Sequence, residues 1–161
     1  RRVDGVILME ILLADPRVAR LERGAMPFVT IGHVEHPGGS WWVDVDYAAL
    51  VGRCVHHLAD LGHRRVVLIN RSTELVAAGY GPAVRATAGF LEAAGVRGLH
   101  GRVVCCADEP AAGSACLEDI RAGRPEVSAV VTINEAASSK PGRMPAVKRS
   151  AIEILPPAEI E

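Results

Sequence analysis

The chain has no excess of charge of either sign: 18 Lys and Arg stand against 19 Asp and Glu over 161 residues, for a formal net charge of −1. A global attraction to nucleic acid or an anionic membrane is therefore excluded, and any such contact would need a local patch, of which the sequence shows none. Long apolar runs are also missing. Val6–Met9 falls far short of the ~20 residues a membrane span requires, and Arg1-Arg2-Val3-Asp4-Gly5 carries no signal-peptide core, so a cytosolic chain is expected. The four cysteines, Cys54, Cys105, Cys106 and Cys116, lack paired Cys-x-x-Cys spacing and read as reduced structural thiols. No Gly-x-Ser-x-Gly elbow and no phosphate loop occurs, and Gly79-Tyr80-Gly81 lacks the rest of a dinucleotide fingerprint, so nothing supports an enzyme. His33 with His36, and His56, His57 and His63, do not complete a tetrahedral set at a familiar interval, and no metal or other cofactor is expected.

What is present is an alternation of short apolar strands and helices. With 49% hydrophobic and 23% charged residues the chain is of globular composition. Strands are expected at Val3–Met9, Phe28–Gly32, Trp41–Asp46, Val66–Asn70, Arg102–Cys106 and Ala129–Asn134. Helices are expected at Pro16–Arg23, Tyr47–Leu61, Pro82–Ala94 closed by Gly95, and Gly113–Ala122 closed by Gly123. Leu50, Val51, Cys54, Val55, Leu58 and Leu61 follow the helical period, Asp46 stands at the N-cap and Gly62 at the C-terminal cap. The order implies an α/β fold with a mostly parallel sheet. Val66-Val67-Leu68-Ile69 and Ala129–Ile133 are apolar on both faces, which implies sheets flanked by helices on both sides. Beyond Ala137 the alternation stops, and Ser138–Arg143 reads as a linker.

In open parallel sheets ligands bind beyond the carboxyl ends of the strands. That geometry nominates Met9-Glu10, Gly32-His33, Asp44 and Asp46, Asn70-Arg71, Ala107-Asp108 and Asn134-Glu135, a set of carboxylates, amides and guanidiniums suited to a polyhydroxylated or anionic small molecule. Asp46 reads equally as a plain helix cap, and Asn134 as the cap of a helix starting at Glu135. Arg85, near the positive end of a helix dipole, needs a partner or else extends into solvent, which is the reading its spacing favours.

Six segments in this order resemble the effector-binding domain of LacI/GalR-type bacterial transcriptional regulators: Val3–Met9, Met26–Gly32, Trp42–Tyr47, His57–Val66, Arg85–Phe90 and Ala129–Ala136. The resemblance covers residues 1 to about 137. It implies a two-lobed, periplasmic-binding-protein-like (type I) α/β fold with parallel sheets, incomplete at both ends. Residues 1–62 would supply part of the first lobe and 63–137 part of the second, with 138–161 as a non-matching tail. It also implies a sugar or similar metabolite held between the lobes, operator DNA bound only through a helix-turn-helix absent from this chain, and pairing as a homodimer in a bacterial cytoplasm. By motif position Arg85, Asn134 and Asp46 match effector-side residues; Glu10, Arg71 and Asp108 are added on strand-end position alone. A solute-binding protein of a transport system shares the fold and is the alternative. If the strand order is 2-1-3-4-5, Val3–Met9 becomes an exposed apolar edge.

Overall fold

The structure is a computed structural model and describes residues 3–135. The linker-like stretch 138–161 and the end of the 63–137 segment lie outside the described residues. The elements run β1 (Val6–Leu8), α1 (Pro16–Glu22), β2 (Phe28–Ile31), β3 (Trp41–Val43), α2 (Tyr47–Asp60), β4 (Arg65–Asn70), α3 (Thr73–Ala77), α4 (Gly81–Val96), β5 (His100–Cys105), α5 (Pro110–Gly123) and β6 (Ala129–Thr132). They form two parallel three-stranded sheets, β1-β2-β3 and β5-β4-β6. The second sheet has its first strand in the middle, the opening of a 2-1-3 order, and in the first sheet β1 is an edge strand.

Local chemistry explains where the elements begin and end. Asp46 caps α2 by accepting the Ala49 N–H at 2.9 Å, and Gly62 (φ +91) follows the helix in the left-handed conformation that glycine adopts without strain. Two helix boundaries, the end of α4 and the start of α5, differ from expectation by more than one residue. Gly95 does not end α4, which continues to Val96. There Gly98 (φ +61) turns the chain, and the Leu99 N–H returns to the Ala94 carbonyl at 2.8 Å, a Schellman-type closure. α5 begins at Pro110 rather than Gly113, because proline suits a helix's first turn, and it includes Gly123. The five-residue α3 was not expected; Ser72 caps it by accepting the Leu75 N–H at 3.4 Å. β1, β2, β3 and β6 are shorter than expected, β1 and β3 most of all, so Asp44 and Asp46 join Glu10 beyond the strands, while β4 and β5 begin one and two residues earlier than expected.

The second sheet is covered on both faces. Val66 and Leu68 of β4 point into a core with Val51, Val55, Leu58 and Ala59 of α2 and Ala86, Phe90, Ala93 and Ala94 of α4. Val67 and Ile69, on the opposite face, pack with Cys106 and Ile120 beneath α5. The alternation along one fully buried strand is the period of two doing what a sandwiched sheet requires. α2 therefore belongs, by its packing, to the second sheet, although it follows β3 of the first in sequence.

Among the described residues, the expected helical cover on both faces is not found for the first sheet. Ile7, Val29 and Trp41 form one cross-strand row and Ile31 and Val43 the next. On that face Ile7 is 66% exposed, Trp41 81% and Val43 61%. The described helix of this half, α1, is seven residues long and buries Val18 alone. A backbone seam joins the halves: Leu12 and Tyr80 form an antiparallel bridge, the Leu13 N–H donates to the Gly79 carbonyl at 2.7 Å, and the Gly81 N–H donates to the Ile11 carbonyl at 3.2 Å.

Candidate functional site

The loops after β1, β2 and β3 and those after β4, β5 and β6 meet around this seam, and two polar clusters lie there. The first is built on Asp44, whose carboxylate is almost wholly buried. Its Oδ2 lies 2.8 Å from His33 Nδ1 and 3.4 Å from Arg85 Nη1, while Arg85 Nη2 donates to the His33 carbonyl at 2.9 Å. The His33 ring stacks on Trp42 at 4.4 Å. Arg85 rises from α4, so a guanidinium on the second-sheet side is held by groups following β2 and β3 of the first. It lies back over the start of its own helix, where a Cβ at Gly81 would meet Nη1 at 2.5 Å. The unfavourable helix dipole at that position is offset by Asp44 and the carbonyl. Arg85 thus does not extend into solvent, as its spacing alone suggested; its side chain is 18% exposed.

The second cluster unites the three residues chosen only for their strand-end positions. Arg71 pairs with Asp108, with Nε 2.8 Å from Oδ1 and Nη2 3.1 Å from Oδ2. Its guanidinium carbon also sits 5.5 Å from the centre of the Tyr80 ring. Burial, and then a hydrogen bond to the Glu10 carboxylate, push the Tyr80 phenol up to about 12, so it remains a donor. Glu10 itself has φ 55, an unusual conformation for a non-glycine residue, with its carbonyl accepting from Arg17 Nη2 at 2.7 Å. Tyr47 stands between the clusters. Its phenol is raised first by burial and then by Asp44, with smaller contributions from Glu135 and Glu10 opposed by Arg71.

The remaining two expected residues are placed differently. Asp46 is exposed and its Oδ1 serves the α2 cap. Asn134 is fully buried, and its amide donates to the Cys106 carbonyl at 3.0 Å, tying the ends of β5 and β6 together. Asn70 does the same toward α4, donating to the Ala83 carbonyl at 3.0 Å and to Thr87 Oγ1 at 2.8 Å. His33 and Asp44 are nominated by strand-end position alone, whereas Tyr47 and Tyr80 are not among the expected ligand residues. Tyr47 and Tyr80 each adjoin a recognised signal, the Asp46 cap and the glycines 79 and 81, but nothing in the local pattern announces which way a phenol turns.

Elsewhere, a groove of about 430 Å³ lies between β5 and α5, lined by Arg102, Cys105, Cys106, Cys116 and Arg124 among others. All four cysteines are free, and burial pushes the Cys116 thiol up to about 11, which keeps it protonated and unreactive. Among the described residues no cluster of His, Cys, Asp and Glu is arranged to hold a metal ion, and no helix is long and apolar enough to cross a membrane.

Paired parallel α/β units with polar side chains bridging their carboxyl ends define a protein of the two-lobed, periplasmic-binding-protein-like class. The family described as periplasmic binding proteins and sugar binding domain of LacI family matches residues 1–144, and the chain belongs to it. The chain is 32% identical over 73 residues to the HTH-type transcriptional regulator RafR of Escherichia coli, a stretch that is 45% of this chain and 22% of that protein. Among solved structures, a LacI family transcriptional regulator from Mycobacterium smegmatis is 32% identical with a TM-score of 0.66, covering 85% of this chain and 50% of that one. A LacI family transcriptional regulator from Bifidobacterium animalis subsp. lactis has the same fold, with a TM-score of 0.74 at 21% identity, covering 84% of this chain and 48% of that one. The chain spans about half the length of these solved relatives.

Proposed function

We propose that this chain is effector-sensing sequence from a LacI-type transcriptional regulator, binding a sugar or similar small metabolite between its lobes and so modulating operator binding by a DNA-binding domain outside this sequence. The observation that carries the proposal is the Arg85 bridge. A guanidinium on one half is held by His33 and Asp44 of the other, at the carboxyl ends of the strands. A ligand that exchanges hydrogen bonds with such a bridge has different affinities for different lobe arrangements, which is the requirement for coupling a small molecule to a distant site. The regulator names of the E. coli and M. smegmatis relatives favour this reading over a solute-binding protein serving transport. Glu10, Arg71, Asp108, Arg85, Asp46 and Asn134 remain the candidate effector-side residues, to which Asp44, Tyr47 and Tyr80 are added. We place the passage between lobes near Asp46 rather than after Gly62, because α2 buries its apolar face on the second sheet. A homodimer acting in the cytoplasm, with binding rather than turnover as its activity, completes the reading.

The test is a thermal-shift panel of sugars, nucleosides and small acids on the full-length regulator. One member should raise the melting temperature, since a ligand at about 100 times its Kd adds ~2.7 kcal/mol of stability. Arg85→Ala should abolish that shift. A panel with no stabilising member would leave the sensing function without support.

A further inference from the structure

We infer that the cleft selects an uncharged, hydroxyl-rich effector and rejects phosphorylated or carboxylated ones, because the arginines that the described residues place there, Arg71 and Arg85, are already ion-paired with protein carboxylates. The inference rests on the proposed sensing function and specifies its ligand. The two guanidiniums at the cleft are both neutralised internally: Arg71 is engaged by Asp108 through two contacts at 2.8 and 3.1 Å, and Arg85 by Asp44 and the His33 carbonyl. An arginine available to a phosphate offers its planar fork to the ligand; here the forks face protein carboxylates.

Helix N-termini are the other source of positive potential at strand ends; those of α2 and α3 carry side-chain caps, whereas those of α4 and α5 carry none. Asp46 accepts from the first turn of α2 and Ser72 from that of α3. In α4 the Gly81 N–H donates to Ile11 and Pro82 has none to offer. Against Arg71 and Arg85 stand the carboxylates of Glu10, Asp44, Asp46, Asp108 and Glu135, so an incoming anion meets an excess of like charge. Hydroxyl groups suit this surface: they donate to carboxylates and accept from a phenol, and Tyr47 supplies a phenol held in the protonated form first by burial, while the Tyr80 O–H is already engaged by Glu10. The discrimination against an anionic isostere follows from desolvating a charge next to carboxylates whose described arginine neighbours are already paired.

Inorganic phosphate tests this without knowledge of the effector. Titrated at constant ionic strength into the full-length protein and followed by phosphorus NMR line broadening, millimolar phosphate should show no saturable binding to the wild type. Asp108→Asn, which releases Arg71, should gain saturable binding at least about tenfold tighter than any residual wild-type affinity, and adding Arg71→Gln should remove it. If Asp108→Asn disturbs the far-UV circular dichroism, Asp44→Asn asks the same question of Arg85. Saturable wild-type binding lost in Arg71→Gln or Arg85→Gln would overturn the inference, as would a folded Asp108→Asn protein that gains nothing. Binding of glucose 6-phosphate in preference to glucose would overturn it too, while leaving the sensing function intact. A failed effector panel bears on that function instead.

Discussion

The two sheets have the same number of strands and the same parallel pairing, yet they are stabilised in different ways. β4 is sandwiched between α2 and α4 on one side and α5 on the other, with Leu68 and Phe90 wholly buried. β1, β2 and β3 present Ile7, Trp41 and Val43 on an open face, and among the described residues the buried ones of that half are few: Ile11, Asp15, Val18, Thr30 and Gly32. The lesson is that hydrogen-bonded strand pairing does not make a core. Burial of apolar area does, and it is concentrated in the second sheet.

Three perturbations would break or sharpen that contrast. The largest effect belongs to the second sheet: Phe90→Ala should cost about 3–5 kcal/mol, the range for a large aromatic removed from a packed core, measured as a shift in urea midpoint. A cost below about 1 kcal/mol would mean that this core is loosely packed. An intermediate effect is expected in the first half, where polar interactions carry more of the order. The Arg17 guanidinium, 2.7 Å from Asp15, is the main cause holding that carboxyl at about 2, below its ordinary 3.8. A depressed folded-state pKa means stability that is fully present above the unfolded value and lost as pH falls from about 4 through about 2. Because Arg17 is half exposed, we expect this to be worth on the order of 1–2 kcal/mol. In Asp15→Asn that acid-dependent loss should disappear; an unchanged pH profile would assign it to other carboxylates. The smallest effect should come from the open face. Trp41→Ser should change stability by less than about 0.5 kcal/mol, and a cost above about 1.5 kcal/mol would show that Trp41 is covered in solution.

The same contrast explains what could be read from residues in order. Strands such as Val66–Asn70 and the helix from Tyr47 announce themselves because period-two and period-3.6 patterns, an Asp46 cap and a Gly62 stop all agree. α3 went unread because five residues present too little periodicity, although its Ser72 cap was in view. Apolar strands imply helical cover on both sheets, and among the described residues the first sheet's apolar character does not bring it. At the candidate site, rules about strand ends placed Glu10, Arg71 and Asp108 without any knowledge of their mutual contacts. Whether a carboxylate meets a guanidinium is a tertiary fact: Asp44 and Arg85 stand 41 residues apart, and no local pattern couples them. The same holds for Asn134, whose strand-end position is legible but whose role as a buried tie depends on where the Cys106 carbonyl lies.

The seam at Leu12 and Tyr80 has a mechanical meaning. Its backbone bonds cross from one half to the other within three residues on each side, Ile11 to Leu13 and Gly79 to Gly81. A joint that short resists sliding far more than it resists rotation, so it acts as a fulcrum. In any rotation of one half against the other about it, Leu12 and Tyr80 would separate least, and groups farther out along the strand ends would swing through the widest arc. A small molecule pressing on the outer groups works with leverage, and one that touched the seam alone would turn nothing.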